Sequence, residues 1–318
     1  MSKTDRIPDL ATIRAAAARI APFIHRTPVL TCNALDRISG AELFFKCENL
    51  QKVGAFKYRG ATNAVQSLSE TESQHGVATH SSGNHAAALA LAARQRNIPA
   101  YVVMPDNSPQ VKKSAVAGYG AEIIYCAPTL AAREETLAAV IARTGAHFVH
   151  PYNDYRVIAG QATATLELLE EINPLDMVIT PVGGGGLTGG AALAVHYLSP
   201  GTRMVAAEPA GADDACRSFR SGELQPSRDP ATIADGLLTS LGDRTWPIIR
   251  EHVDDIVTVT DAGIIQAMRL VWERMKIIIE PSAAVPLAAL LERRVDTEGR
   301  RIGIILSGGN VDLERLPW

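Results

Sequence analysis

Four short stretches of the chain group residue types that can do chemistry together. Lys57 lies in Gly54-Ala55-Phe56-Lys57-Tyr58-Arg59-Gly60, between two aromatics and two glycines, ahead of Ala61 to Val65, which can continue as a helix. A half-desolvated ammonium loses its proton readily, so a lysine in that setting suits attack on a carbonyl and abstraction of a carbon-bound proton. Ser81-Ser82-Gly83-Asn84-His85 joins an apolar run to an alanine-rich one. Its hydroxyls and the amino end of the following helix aim several donors at one carboxylate or other anion. In Pro181-Val182-Gly183-Gly184-Gly185-Gly186-Leu187-Thr188, four consecutive glycines bare the backbone amides and make a phosphate cup at a helix amino end. Leu306-Ser307-Gly308-Gly309-Asn310 closes the last apolar run and presents a hydroxyl.

The glycine run has the wrong spacing for a dinucleotide fingerprint and no acidic ribose partner, and no Gly-Lys-Ser/Thr follows to make a Walker loop. A reactive lysine, a phosphate cup and a hydroxyl facing a ring together describe a site for pyridoxal phosphate.

The elements that must hold these stretches alternate. Pro8-Asp9 followed by Leu10, Ile13, Ala17 and Ile20 predicts a capped amphipathic helix, Thr27 to Leu30 an extended entry and Leu43 to Cys47 a strand. Strands at Val77 to His80, Ala100 to Met104 and Glu122 to Tyr125 alternate with helices at Asn84 to Arg96, Gln110 to Ala117 and Leu130 to Arg143. A second block repeats the rhythm, with helices at Val157 to Ile172, Leu187 to Tyr197, Gly263 to Met275 and Ser282 to Leu291. Its strands are Met177 to Thr180, Arg203 to Ala207, Ile256 to Val259 and Ile302 to Leu306; Arg217 to Pro230, rich in Ser, Pro, Gly and charge, reads as a surface excursion. Strands separated by helices of this length build parallel sheets by right-handed crossovers. The expected fold class is therefore α/β with two domains, each a mainly parallel twisted sheet flanked by helices. Residues 1–52 and 147–318 would form the large domain and 53–146 the small one, with ligands beyond the carboxyl ends of the strands.

At 318 residues, 47% hydrophobic and 20% charged, the composition is that of a soluble globular protein. A net charge of −3 gives no basic surplus for nucleic acid, and no apolar run is long enough to span a membrane. Asp5, Arg6 and Asp9 interrupt any export signal, and Cys32, Cys47, Cys126 and Cys216 show no paired spacing, so a cytoplasmic protein with reduced thiols is expected.

In this order, Gly-Ala-Phe-Lys-Tyr-Arg-Gly, Ser-Ser-Gly-Asn-His, Pro-Val-Gly-Gly-Gly-Gly-Leu and Ser-Gly-Gly-Asn resemble the serine racemase and threonine dehydratase group of fold-type II (tryptophan synthase β-like) pyridoxal-phosphate enzymes. The likeness runs from Thr27-Pro28 to Asn310-Val311-Asp312. It implies that Lys57 forms the imine with the cofactor, Phe56 packs near the ring, Asn84 binds the 3′-oxygen, Gly183, Gly184, Gly185 and Gly186 hold the phosphate, and Ser307 meets the ring nitrogen. Gly236 and Glu280 would stand beside the cofactor. Ser81, Ser82, Gly83, Asn84 and His85 would clamp the substrate, with Ser82 also able to act as a base on the face opposite Lys57. Glu208, Asp214 and the Ala212 carbonyl match a divalent-cation segment, and all-oxygen ligation fits Mg²⁺, Ca²⁺ or Mn²⁺. A homodimer is implied as well.

A neutral hydroxyl at Ser307 favours a ring that holds a full carbanion less well, which suits loss of a β-hydroxyl better than transamination. The expected activity is an ammonia-lyase acting on serine, threonine or 3-hydroxyaspartate through an aminoacrylate, with a serine- or aspartate-type racemase as the alternative. A β-replacing enzyme of the cysteine synthase type, a non-catalytic cofactor carrier and a nicotinamide dehydrogenase are further readings. Arg133, in Ala131-Ala132-Arg133-Glu134-Glu135, either pairs with neighbouring glutamates on a solvated face or binds a second substrate carboxylate. Two positions depart from the family pattern: Tyr155, where proline is frequent, and Ala162, where glycine is common. With the chain ending at Trp318, isoleucine feedback through an added regulatory domain is not expected.

Overall fold

The computed structural model describes residues 6–108 and 110–318, so Asp5 lies outside the described residues. Helix α1 (Leu10–Ile20) begins at Asp9, whose carboxylate accepts the Thr12 amide at 2.8 Å, and is followed by β1 (Val29–Leu30), α2 (Asn33–Ser39), β2 (Glu42–Cys47) and α3 (Lys57–Ser67). Next come α4 (Glu70–Ser73), β3 (Val77–His80), α5 (Asn84–Arg96), β4 (Ala100–Pro105), α6 (Gln110–Gly118), β5 (Glu122–Cys126), α7 (Leu130–Thr144) and β6 (His147–Phe148). The remainder is α8 (Tyr155–Glu171), β7 (Met177–Pro181), α9 (Gly186–Leu198), β8 (Arg203–Pro209), α10 (Asp214–Ser221), α11 (Thr245–His252), β9 (Asp255–Val259), α12 (Asp261–Met275), α13 (Pro281–Leu291) and β10 (Arg301–Leu306).

Two sheets result. The larger runs β1-β2-β10-β7-β8-β9, parallel except where β1 meets β2, and the smaller runs β5-β4-β3-β6, parallel throughout. Such strands lie between helices on both faces and therefore read as unbroken apolar runs. In β10, at the centre of the larger sheet, Ile302, Ile304, Ile305 and Leu306 are all fully buried. The turns after β3, β7 and β10 carry the Ser-Ser-Gly-Asn, Gly-Gly-Gly-Gly and Ser-Gly-Gly-Asn motifs.

Some local details differ from the sequence expectations. Arg217 belongs to α10, so the surface excursion begins only after Ser221; Ala215, Cys216 and Ser218 bury one side of that short helix beneath its polar face. Helices α2 and α11 were missed because each is short and lacks a full amphipathic repeat. Strand β6 pairs with β3, so the smaller sheet extends past the expected boundary at residue 147. Ala162 is fully buried on α8, where Gly190 of α9 leaves room for it: a Cβ built at Gly190 would come 2.7 Å from the Ala162 nitrogen. Tyr155 opens α8 and lies under the Arg244 guanidinium, 5.0 Å from its ring centre. The four cysteines are free, and among the described residues no helix is long and apolar enough to cross a membrane.

Helix α3 is wedged between α5 on one side and α8 on the other, and at the α8 crossing Gly60 meets Gly160. A Cβ on Gly60 would lie 2.8 Å from the Val157 carbonyl oxygen and 2.4 Å from Gln161 Nε2, whose side-chain oxygen accepts the Gly60 amide. Gly60→Ala is therefore expected to force the two helices apart and destabilise the fold by about 1–3 kcal/mol. Urea unfolding monitored by circular dichroism measures this, and an unchanged midpoint would refute the close-packing account.

Candidate active site

The lysine loop and the serine loop, far apart in sequence, are stitched together. The Phe56 amide donates to the Ser307 carbonyl at 3.0 Å, Ala55 pairs with Gly308 in an antiparallel bridge, and the Gly309 amide donates to the Gly54 carbonyl at 2.9 Å. Lys57 thus starts α3 directly beside the buried Ser307. Its half-buried amine donates to the Pro151 carbonyl at 2.8 Å and lies 5.2 Å from the Phe56 ring centre and 6.0 Å from that of Tyr152. Burial lowers its pKa to about 8, with the nearby Glu280 carboxylate opposing the shift. An appreciable fraction of the amine is then neutral near physiological pH.

Asn84 opens α5 and links three of the motifs. Its amide nitrogen donates to both oxygens of Glu280, at 3.0 and 3.1 Å, while its carbonyl oxygen accepts Asn310 Nδ2 at 2.9 Å. Asn310 Nδ2 also contacts the Val53 carbonyl at 2.8 Å, behind the lysine loop. Glu280 is buried, and burial raises its pKa to about 7 against the lowering effect of Asn84. Ser81, Ser82 and Gly83 form the half-buried turn ahead of Asn84, with the Gly83 amide 3.3 Å from Ser81 Oγ. His85 differs from expectation. It is buried, its Nε2 faces the Val149 carbonyl at 3.2 Å, and burial keeps it neutral, an arrangement that braces the turn and offers no charge to a carboxylate.

The glycine loop joins β7 to α9, with Gly185 at a φ of +85° that side chains rarely adopt. The amides of Gly183, Gly184 and Gly185 donate to no protein acceptor among the described residues, which leaves them for an anion at the helix amino end. The walls fit closely. A Cβ at Gly184 would sit 2.4 Å from the Tyr152 ring, and one at Gly183 would sit 3.0 Å from Leu237 and 3.4 Å from the Gly236 carbonyl. The buried Thr245 hydroxyl donates to the Gly184 carbonyl at 2.9 Å. These donors, with Lys57 and Ser307, fit the phosphate, aldehyde and ring nitrogen of the cofactor that the sequence suggested.

The sequence reading overlooked Tyr152 and Thr245, which shape the loop from outside it. Their only local signal is an aromatic after β6 and a hydroxyl at the start of α11, neither distinctive before folding.

Arg133 lies in the first turn of α7, where Thr129 caps the helix; its Nε lies 3.4 Å from the Thr129 carbonyl, and it forms no ion pair among the described residues. Burial, with the Arg133 charge added, lowers the pKa of His80 at the end of β3 against the opposing charge of Glu134.

At the end of β8, the buried Glu208 carboxylate accepts the amides of Ala215 and Cys216 at the start of α10. Burial and the neighbouring Asp214 raise Glu208 to about 8, and burial raises Asp214 to about 6. Asp214 Oδ2 is buried with no hydrogen-bond partner. Two mutually repelling carboxyls and an orphaned oxygen fit a cation, although no described cluster of three or more His, Cys, Asp or Glu side chains could hold a metal. A third protein ligand would therefore be a backbone carbonyl such as that of Ala212.

The Glu280 shift sets a pH dependence of stability. The folded state binds the Glu280 proton up to about pH 7 whereas the unfolded chain releases it near 4.5, so stability is full below pH 4.5 and declines as pH rises to 7. Glu280→Gln should remove this decline, worth up to about 3 kcal/mol between the two limits. Thermal midpoints of the apoprotein from pH 4.5 to 7.5 test this: parallel wild-type and variant profiles would contradict it.

Comparisons with known proteins agree with the geometry. The family described as pyridoxal-phosphate dependent enzyme matches residues 20–308. The chain is 52% identical over 312 residues to a beta-hydroxyaspartate dehydratase of Paracoccus denitrificans, covering 98% of this chain and 99% of that one. It is 50% identical over 313 residues to a serine racemase of Arabidopsis thaliana, covering 97% and 95%. Among solved structures, the serine racemase of Dictyostelium discoideum superposes with a TM-score of 0.92 at 51% identity, covering 96% of this chain and 99% of that one. A threonine deaminase from T.th. gives 0.91 at 44% identity, covering 96% and 99%.

Proposed function

The chain belongs to the pyridoxal-phosphate-dependent enzyme family, and from that premise we propose that it is an ammonia-lyase removing the β-hydroxyl and amino group of a small hydroxy amino acid, 3-hydroxyaspartate first among the candidates. The observation that carries this reading is a partly neutral Lys57 amine held beside a neutral Ser307 hydroxyl at the mouth of a bare glycine cup.

When bound, pyridoxal phosphate supplies an aldehyde to tether the substrate amine and a conjugated ring to accept electrons from the α-carbon. Lys57 takes the α-proton, and its depressed pKa matches that task near neutral pH. Ser81, Ser82, Gly83 and Asn84 hold the substrate α-carboxylate at the amino end of α5. Gly183 to Gly186 hold the phosphate, with the loop braced by Thr245. Ser307 leaves the ring nitrogen without an anionic partner, which favours prompt departure of the β-hydroxyl over a long-lived carbanion. The β-hydroxyl leaves as water, its added proton balancing the one that Lys57 takes, and the released aminoacrylate adds water to give a 2-oxo acid and ammonia.

Arg133 faces a second carboxylate, which 3-hydroxyaspartate has and serine and threonine lack. This is supported by its lack of an ion-pair partner among the described residues and by the 52% identity to a protein named as a hydroxyaspartate dehydratase. The second reading is racemisation. Ser82 stands in the substrate turn where it can return a proton to the face opposite Lys57, and serine racemases are among the similar proteins. A divalent cation, Mg²⁺, Ca²⁺ or Mn²⁺, would bind Glu208, Asp214 and the Ala212 carbonyl, and the protein would act as a cytoplasmic homodimer.

Assays of serine, threonine and the 3-hydroxyaspartate isomers, following keto acid and enantiomer together, test the assignment. Arg133→Ala should lower kcat/KM on 3-hydroxyaspartate by about tenfold or more and change turnover of threonine by less than about threefold. Equal losses on both would exclude the specificity role. Mg²⁺ at about a hundred times its Kd should raise the thermal midpoint of the wild type, by the equivalent of about 2.7 kcal/mol, and should do nothing for Asp214→Asn. A Mg²⁺ shift of full size in the variant would exclude the cation site.

A further inference from the structure

Two residues beyond Lys57, Arg59 is fully buried with Lys46 and Glu48, against the nearly buried Glu167, and none of the four belongs to the proposed chemistry. Its guanidinium uses every donor it has. Nε and Nη2 grip Glu48 at 2.7 and 2.8 Å, while Nη1 and Nη2 grip Glu167 at 2.7 and 2.8 Å. Thr163 Oγ1 lies 3.2 Å from Nη1, and Thr27 Oγ1 lies 3.4 Å from Nη2. Lys46 completes a neutral quartet, donating to Glu167 at 2.7 Å and to the Thr27 carbonyl at 2.6 Å.

The quartet binds α3 to the end of β2 and to α8, both outside the smaller sheet. Buried ion clusters are commonly replaceable by apolar residues without loss of stability, so stability alone gives this one little reason to exist. Two-sided bidentate gripping supplies something that apolar packing does not, a fixed rotation of the helix about its own axis. Residues two apart on a helix point roughly 200° from one another, so anchoring Arg59 on one face sets the direction of Lys57 on the other.

We propose that Arg59 is a positioning residue: clamped between Glu48 and Glu167, it fixes the rotation of α3 and thereby holds the Lys57 amine in its desolvated place at the Pro151 carbonyl. The proposal rests on Lys57 being the reactive amine, and it is tested on apoprotein so that the two claims can fail separately.

Arg59→Lys keeps the charge and loses the fork. Trace acetylation of Lys57 by acetic anhydride, read by mass spectrometry across pH, reports the amine's own protonation without cofactor. In wild type the labelling midpoint should fall near pH 8. In Arg59→Lys it should rise by about one pH unit or more toward that of an ordinary lysine, as the amine turns toward water. The visible band of the holoenzyme should shift its pH midpoint the same way, with kcat reduced about tenfold and KM changed less than about threefold. A folded Arg59→Lys protein that melts earlier but labels with the wild-type midpoint would overturn the proposal and leave the quartet a purely structural device. Should Arg59→Lys not fold, the charge-balanced pair Lys46→Met with Glu167→Gln removes one arm of the clamp. A raised labelling midpoint in that variant supports the proposal, and a wild-type midpoint overturns it. A colourless wild type that labels normally would sink the cofactor reading while leaving this one standing.

Discussion

The site depends on stripping water from one amine without stranding it. Lys57 loses solvent near the Phe56 and Tyr152 rings, and one of its N–H groups donates to the Pro151 carbonyl at 2.8 Å. With the full complement of water the amine would stay charged and inert at neutral pH; with no acceptor at all, the cost of burying it would fall on the fold. The compromise needs three chain segments to meet at one point, and the pairing of Ala55 with Gly308 and the hydrogen bond from the Phe56 amide to the Ser307 carbonyl join two of them. Because Ser307 sits at the end of the central strand of the larger sheet, the reactive loop inherits the rigidity of the best-buried part of the molecule.

What could be read before folding was local. Strand, turn and helix leave compact marks, so the parallel α/β architecture, the glycine loop after β7 and the serine turn ahead of α5 were all visible as short words in the chain. Lys57 was visible for the same reason, as a cation hemmed in by aromatics and glycines. The groups that tune these words were not visible. Pro151 lies 94 positions from Lys57, and Glu167 lies 108 from Arg59, with nothing in either neighbourhood to announce the pairing. His85 shows the reverse error. A histidine beside a substrate turn invites a binding role, yet the first turn of α5 directs its ring inward to the Val149 carbonyl. Short helices such as α10 were lost because a single turn or two, with one buried side, carries too few residues for a period to register.

Buried charge is handled in three ways in this molecule. Around Arg59, two basic and two acidic side chains interlock at 2.7 Å, each held by a partner of opposite type. At Glu208 and Asp214, burial pushes two neighbouring carboxyls toward the protonated form, to about 8 and about 6, with Asp214 adding to the rise at Glu208 and Arg217 opposing it at Asp214. Glu280 lies between these extremes: burial lifts it to about 7 against the Asn84 amide, and its carboxylate opposes the lowering of Lys57. The first arrangement interlocks three elements, the second is the set of oxygens proposed to hold a cation, and the third places a carboxyl within electrostatic reach of Lys57.

That electrostatic reach gives a physical reason for the residue at 307. Glu280 already crowds the serine loop: its amide donates to the Gly308 carbonyl at 3.0 Å, and a Cβ on Gly308 would meet its carboxyl oxygen at 2.5 Å. A carboxylate at 307 would put a second anion into the same water-poor space. Either its own pKa or that of Glu280 would have to rise further, or the Lys57 ammonium would be held in its charged form. A protonated acid would leave the amine neutral, whereas the charged ammonium would remove the neutral amine that the proposed proton abstraction needs. In the proposed reading a hydroxyl would satisfy a ring nitrogen without adding charge, so the residue that would make the electron sink shallow would also leave the lysine free to be neutral. Chemistry that expels a β-substituent quickly is the kind that such a balance can sustain.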